Sequence, residues 1–266
     1  MRLLGIGVTL AFVQQQRHER MQEQVRADGL IHTIEAADFR ELPRLISDLS
    51  QFSDRTHTLR ELTRRATTST TRENRLRIDL AIGLLTAKLE PHLIESWLSL
   101  SLQELLIVKQ LTLPLRAQFL HQLRDVMNVE ANDDESRQRQ LRAAGLLVTD
   151  VVPDKTPNSP VAKFDSTASD GDFGLPHWQN IAETLLQVVY ENPREFDAAL
   201  MLFQSAAPNL YEPLKQRVET RSVSDQQRHL AIALMCELTQ DSPGSIAELA
   251  CLIDADAISS AAAIRR

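Results

Sequence analysis

One short pattern occurs three times along the chain, and it constrains the fold more than any other feature. The three segments are RLRIDLAIGLL from Arg75, RQRQLRAAGLL from Arg137 and DQQRHLAIALM from Asp225. Each has an alanine at the same place, so the matching residues are Ala81, Ala143 and Ala231. The first interval is 62 residues, and the second is also 62 once the 26 residues of 151–176 are set aside. Equal intervals of this length predict a structural repeat.

Small residues lie two places after each shared alanine, at Gly83, Gly145 and Ala233. A glycine inside a helix costs about 1 kcal/mol relative to alanine, so close packing between helices is the natural reason for this pattern. Helical repeats of this kind bury their apolar faces only against neighbouring repeats. We therefore expect a short α-solenoid of about three HEAT-like repeats. An irregular helical domain with chance similarity is the alternative.

A second pattern recurs in phase with the first. The segments are AADFREL at 36–42, SLSLQEL at 99–105 and YENPREF at 190–196. Each places a glutamate before Leu or Phe, at Glu41, Glu104 and Glu195. Two patterns in the same order favour a true repeat over chance similarity.

The rest of the chain also favours helices. Apolar residues recur at every third or fourth position, as at Leu42, Leu45, Ile46 and Leu49, which is typical of a helix with one buried face. The chain has only eight glycines and 5% aromatic residues, and no stretch alternates in the manner of a strand. The sequence therefore predicts an all-α fold.

One change in composition sets the predicted domain boundaries. Residues 151–176 hold four of the eleven prolines, and the prolines at 153, 157 and 160 exclude a helix there. We expect a disordered loop inserted in the repeat array. The predicted organisation is an anchor or signal-like segment at 1–13, repeats 1 and 2 at 14–150, the loop at 151–176 and repeat 3 at 177–266.

The N-terminal segment is apolar but short. A helix from Leu3 to Val13 would rise about 16 Å, against a hydrocarbon core of about 30 Å. We interpret it as the truncated end of a transmembrane helix that continues into the first repeat. Because basic residues stay on the cytoplasmic side, Arg2 favours an extracytoplasmic helical domain. The alternative is a cleaved signal peptide, with Thr9 and Ala11 before the cut, and hence an exported soluble protein.

No motif for catalysis, a cofactor or a metal is complete in the sequence. The DFG at 172–174 would hold magnesium in a protein kinase, but no predicted strand precedes it and no His-Arg-Asp loop lies upstream. His92 and Glu95 can share a helix face, yet two ligands do not make a zinc site. A net charge of -7 and a pI near 5.5 argue against a nucleic-acid partner. We therefore predict a non-enzyme with no catalytic, cofactor-binding or metal-binding residues.

The cysteines and two of the large aromatic residues are expected in the core. Cys236 and Cys251 lie on consecutive predicted helices, where we expect two buried free thiols. A single disulfide is the alternative in an oxidising compartment. Trp97 and Tyr190 lie just before the shared glutamates of the second pattern, so we expect them to be packed inside rather than exposed on a binding surface.

Three stretches of the chain resemble a known family. They are EAADFRELPRLISDL, YENPREFDAALMLF and QRHLAIALMCELTQDSPGSIAELACLIDAD, and the similarity extends over about residues 14–258. They resemble the helical-repeat region of planctomycete-type membrane proteins. In that family a serine/threonine kinase domain precedes the membrane helix, and a formylglycine-generating-enzyme-like (sulfatase-modifying factor) domain often follows the repeats. No position of this chain matches the catalytic residues of either domain.

The resemblance and the repeats together imply a function. We expect a non-catalytic, membrane-tethered helical-repeat module that acts as a spacer or binds an unidentified protein or peptide along the solenoid. The alternative is a detached part of a multidomain protein of that family, with a regulatory role. A soluble helical enzyme with a site built from dispersed residues is a third interpretation.

Overall fold

The computed structural model describes the backbone of residues 2–148, 175–220 and 224–238, and their side chains except those of 2–13 and 175–176. Every regular element in these ranges is helical, and none of these residues is in a strand, so the all-α prediction is confirmed. The α-helices are α1 (Arg2–Ala36), α2 (Leu42–Ser50), α3 (Arg55–Thr68), α4 (Arg72–Thr86), α5 (Pro91–Trp97), α6 (Leu102–Thr112), α7 (Leu120–Asn128), α8 (Asp134–Leu147), α9 (Leu175–Glu191), α10 (Phe196–Phe203), α11 (Ala207–Glu219) and α12 (Asp225–Leu238).

Local side-chain chemistry fixes where several helices begin and end. At the start of α3, the Asp54 carboxylate accepts a hydrogen bond from the backbone N–H of His57 (3.0 Å). Asp133 accepts one from the N–H of Ser136 (2.7 Å) at the start of α8. Such N-caps satisfy donors that a first helical turn leaves without partners. At the end of α4, Ala87 adopts a left-handed conformation with φ 54°, the role that glycine more often has.

The helices divide into two compact units. The first unit lies within Met1–Ser96 and Ile107–Phe119, and the second lies within Trp97–Leu106 and Leu120–Arg266. Each unit has its own set of buried apolar side chains. These limits describe packing, and the predicted division of the chain into repeats stays a prediction.

In the first unit, the C-terminal half of α1 packs against α2, α3 and α4. The side chains enclosed there are Ile31, Ile34, Phe39, Leu42, Leu62 and Ile78. Arg77 on α4 closes one edge of this core: its guanidinium lies over the Phe39 ring, 5.3 Å from the centroid, and donates to the carbonyl of Glu35 (3.2 Å). A cation over an aromatic face is attractive, so this contact holds the end of α1 against α4.

In the second unit, α7 packs on α8, α8 on α9, α9 on α11 and α11 on α12. Its core includes Leu141, Leu185, Leu202, Phe203, Leu210 and Leu234. The spacing of buried residues along α9 is helical, at Trp178, Ile181, Ala182, Leu185, Leu186 and Val189. One stripe of α9 is therefore buried along its length.

A buried carboxylate connects parts of the second unit that lie far apart in sequence. Glu195 is 6% exposed, and its Oε2 accepts a hydrogen bond from the backbone N–H of Gln103 (3.1 Å) in the first turn of α6. The Asn192 side chain donates to its Oε1 (3.4 Å). Arg142 donates from Nε to the carbonyl of Leu100 (2.5 Å). Burial lowers the pKa of Arg142, and the charge of Glu195 opposes that shift.

The three aligned segments occupy equivalent places in the order of helices. They lie in α4, α8 and α12, and each of these packs against the helix just before it, α3, α7 or α11. The shared alanines Ala81, Ala143 and Ala231 are all fully buried. Gly83 and Gly145 are buried as expected, but Ala233 is exposed, so the close-packing interpretation is wrong at that position.

Other sequence predictions differ in outcome. Trp97 is fully buried as expected, whereas Tyr190 is 42% exposed and its hydroxyl donates to Gln226 Oε1 (3.0 Å), so the core prediction for Tyr190 is wrong.

The predicted loop at 151–176 lies outside the described residues, except that its last two residues begin α9. The predicted anchor segment is part of α1, which runs without a break from Arg2. Over the described part of the chain, no helix combines the length and apolar character that crossing a membrane requires.

Candidate functional site: a groove along the first helix

The two faces of α1 have different surroundings. Ala27, Ile31 and Ile34 face the core of the first unit and are buried. On the other side Met21 is 60% exposed and Val25 is 71% exposed. Single exposed apolar residues are common on protein surfaces, and these two are one turn apart.

A groove of about 710 Å³ opens between α1 and the C-terminal end of α2. The residues that line it are Glu23, Arg26, Gly29, Leu30, Thr33, Asp48, Gln51 and Phe52. Leu30 and Phe52 are half-buried and provide its apolar surface. Five of the eight lining residues are polar or charged, and a concave surface where polar and apolar groups converge is a candidate binding site.

Gly29 widens this groove. A Cβ built at Gly29 would meet nothing within 4 Å among the surrounding side chains and backbone, whereas one at Gly83 would lie 2.6 Å from Cδ2 of Leu89. The hydroxyl of Thr33 donates back to the Gly29 carbonyl (2.9 Å) within the helix. A glycine here costs α1 about 1 kcal/mol relative to alanine, and the described packing of the chain gives no reason for that cost.

The electrostatics of the groove favour cations at one end. Asp48 lies near the C-terminal end of α2, where Gln51 N–H donates to its carbonyl (3.2 Å). The C-terminus of a helix carries partial negative charge, which adds to the Asp48 carboxylate. Glu23 on α1 accepts a hydrogen bond from the hydroxyl of Ser53 (2.6 Å). Arg26 is one cation among the lining residues.

Ion pairs between α1 and α3 hold the inner side of α1 in place. Arg65 on α3 contacts Glu35 on α1 (2.6 Å) and Glu61 (2.9 Å). Hydrogen bonds from Arg64, and then from Arg65, lower the pKa of Glu61 to about 2. His57 on α3 lies 3.1 Å from Asp28 on α1. Because α1 is fixed to α3 in this way, its outer face is a stable wall for the groove.

A second cleft, of about 220 Å³, lies in the second unit between α8, α9 and α11. Four of its five charged side chains are paired: Arg217 contacts Glu183 (3.2 Å), and Arg137 contacts Asp134 (3.6 Å). A ligand would have to break these contacts. In the groove along α1, Asp48 has a longer ion pair, 3.9 Å to the exposed Arg44. The groove is also the larger of these two openings, so it is the stronger candidate.

The residues that the sequence singled out lie in different environments. His92 on α5 lies 3.2 Å from Asp79 on α4. Across the described ranges, no three His, Cys, Asp or Glu side chains come together as a metal site would need. Cys236 is a half-buried free thiol whose pKa is raised by burial and then by Glu237. Cys251 and the DFG at 172–174 lie outside the described residues.

Sequence reasoning did not find the groove. Its lining residues come from two helices and the turn after the second, and none belongs to a recurring chemical motif. The one available signal was Gly29 itself, a glycine inside a long amphipathic helix. That signal indicates close packing in general and does not distinguish packing within the chain from packing against a partner.

No protein-family model matches the chain, and searches of curated proteins and of solved structures found no match.

Proposed function

We propose that the protein is a non-catalytic helical-repeat module that docks a partner protein and holds it at a distance from a membrane. The open groove along α1 is the observation on which this proposal depends, because it combines apolar surface, charge and an accessible helix backbone. In the second cleft, Arg217 and Arg137 already contact carboxylates of the same chain, so these side chains favour a structural role over a catalytic one. Binding surfaces of this kind are common on helical repeat proteins.

The order of helices supports the repeat part of this proposal. Each fully buried alanine, Ala81, Ala143 and Ala231, lies in the second helix of an adjacent packed pair. In the first and third occurrences, a 3-10 turn ending at Glu41 or Glu195 leads into the next helix. We propose three HEAT-like repeats of a short α-solenoid on this basis.

The form of α1 supports the tether. Residues Gln14 to Gln22 are all exposed, and they belong to the same helix as the apolar N-terminal segment. Pairs one turn apart support this exposed stretch: Gln15 donates to Glu19 (3.2 Å), and His18 lies 3.1 Å from Gln22. Nine helical residues span about 13 Å, so this stretch would act as a short helical stalk.

Vesicle flotation tests the tether. We expect the full chain to float with phosphatidylcholine vesicles, because the segment from Leu3 to Val13 enters the apolar phase. The double variant Ile6→Lys, Val8→Lys should abolish flotation, since a charged side chain is costly in hydrocarbon. Lysines at Gln14 and Gln16 add the same charge to the stalk and should leave flotation unchanged. Equal flotation of both double variants would contradict the tether.

Protease accessibility tests the orientation. Protease added to sealed cells with a permeabilised outer layer should digest an extracytoplasmic helical domain. Resistance of the domain under these conditions, with digestion after lysis, would contradict the proposed topology.

The family resemblance supports a further part of the proposal, in which the module belongs to a kinase- or sulfatase-modifying-factor-like multidomain protein and regulates it. Translating the genomic sequence on both sides of Met1 and Arg266 tests this. An in-frame kinase domain upstream would support it, and stop codons on both sides would contradict it.

A further inference from the structure

We infer that the groove along α1 binds a basic amphipathic helix of a partner protein, with a lysine or arginine between Glu23 and Asp48. This inference rests on the docking function proposed above and names the chemistry of the partner. The surface is formed by the eight residues that line the groove.

Charge determines the class of partner. Glu23 on α1 and Asp48 on α2 contribute a carboxylate from each wall, and the C-terminal end of α2 adds partial negative charge. A cation beside either carboxylate interacts favourably with it, and one beside Asp48 also interacts with the C-terminal end of α2. Arg26 is three residues beyond Glu23, so the helix that fits best has its basic residues at the Asp48 end and a neutral or acidic residue opposite Arg26. An acidic helix would meet both carboxylates, and the exposed Arg44, 3.9 Å from Asp48, offsets only part of that repulsion.

The apolar surface determines the form of the partner. Leu30 and Phe52 are half-buried and offer surface that a second apolar face can cover. A partner with apolar side chains on one face and basic side chains at its edge matches both parts of the groove, which is the usual form of helix-in-groove recognition.

Gly29 allows the partner to approach closely. Among the described residues no atom lies within 4 Å of where its Cβ would be, and Gly29 lines the groove. A helix packed across a glycine can bring its side chains against the backbone of α1. In contrast, the side chain of Leu89 occupies the space where a Cβ of Gly83 would be. Of these two glycines, only Gly29 leaves room for another molecule.

A defined peptide tests the inference. The probe is a dye-labelled peptide of about 16 residues made of Leu, Ala and Lys with one apolar face, and its match replaces every Lys with Glu. Fluorescence anisotropy with the full chain should show that the basic peptide binds about tenfold or more tightly than the acidic one. Equal affinities of the two peptides would overturn the inference.

Three variants locate the binding. The double variant Glu23→Lys, Asp48→Lys should weaken binding of the basic peptide by about tenfold or more. Gly29→Trp should weaken binding of the basic peptide to a similar extent, because the tryptophan side chain fills the groove. Circular dichroism of this variant should show an unchanged helix content. Glu130→Lys changes an exposed charge in the second unit and should leave binding unchanged. A loss as large for Glu130→Lys as for the groove variants would indicate non-specific charge attraction and overturn the inference.

The outcomes separate this inference from the proposed function. If Gly29→Trp weakens both peptides equally while their affinities are the same, the groove docks a partner but the partner is not basic. If Gly29→Trp leaves the binding of both peptides unchanged, the groove is not the docking site, and both proposals fail.

Discussion

The inner face of α4 and the outer face of α1 both contain a glycine, but the two glycines serve different neighbours. At Gly83 a Cβ would lie 2.6 Å from a side-chain atom of Leu89, so the chain itself uses the space. At Gly29 the same construction meets nothing within 4 Å. The first glycine is explained by the fold of the chain. The second faces open space in the groove along α1.

The same contrast between filled and open positions occurs where the repeated patterns align. Glu195 is buried and caps α6, whereas Glu41 is exposed. Ala231 is fully buried, whereas Ala233 in the same helix is exposed. Similar sequence at these places therefore does not imply a similar environment. Variants at matched filled and open positions test the contrast directly.

The largest effect is expected at Glu195. Glu195→Ala should lower the free energy of unfolding by about 3 kcal/mol, because the buried N–H of Gln103 loses its acceptor and Arg142 loses a nearby negative charge. Glu41→Ala, at the aligned exposed position, should change it by less than about 0.5 kcal/mol. Urea denaturation followed by circular dichroism measures both. Equal effects would mean that burial of the carboxylate is not what matters.

A smaller effect is expected at the shared alanine of α12. Ala231→Leu adds atoms to a fully buried position and should destabilise the protein by about 2–3 kcal/mol. Ala233→Leu adds the same atoms to an exposed position and should be neutral within about 0.5 kcal/mol. Thermal unfolding of the two variants gives the comparison. If Ala233→Leu were the more damaging change, the assignment of the buried face of α12 would be wrong.

The two glycines come next. Gly83→Leu should destabilise the protein by about 2 kcal/mol because Leu89 must move. Gly29→Ala should stabilise it by about 0.5–1 kcal/mol, since alanine favours the helix and meets no neighbour. Chemical denaturation of the wild type and of both variants measures these two opposite changes in the free energy of unfolding. A destabilised Gly29→Ala would show that the space beside α1 is filled by the chain.

The smallest effect concerns Glu61, which is partly exposed between α1 and α3. Its pKa of about 2 lies below the ordinary value of 4.5, so its contribution is complete above pH 4.5 and is lost as the pH falls towards 2. After solvent screening we expect about 1 kcal/mol. The stability difference between wild type and Glu61→Gln should therefore shrink between pH 4.5 and 2. A difference that stays constant over this interval would contradict the ion-pair account.

The helices could be predicted from the sequence because apolar spacing along a helix reflects its own buried face. The alanines at 81, 143 and 231 were predicted to be structurally equivalent, and all three are buried. Tyr190 was placed wrongly because it follows Val189, the end of the buried stripe of α9, and one residue turns a helix by about 100°. An alignment of patterns does not resolve that rotation.

The groove could not be predicted for a different reason. Glu23 and Asp48 are on separate helices, and only the packing of α2 against α1 brings them to one opening. Gly29 had a local signal, but its meaning depends on what surrounds it in three dimensions. Sequence periodicity reports which face of a helix is buried, and it does not report which space is left open.

The central claim is that the groove along α1 is a docking surface, and an NMR titration tests it most directly. The isotope-labelled full chain would be titrated with the basic peptide while backbone amide shifts are followed. We expect the largest shift changes at Gly29, Leu30, Thr33, Gln51 and Phe52, with the amides of the second unit unchanged. Changes centred on α8, α9 and α11, or no changes at saturating peptide, would contradict the claim.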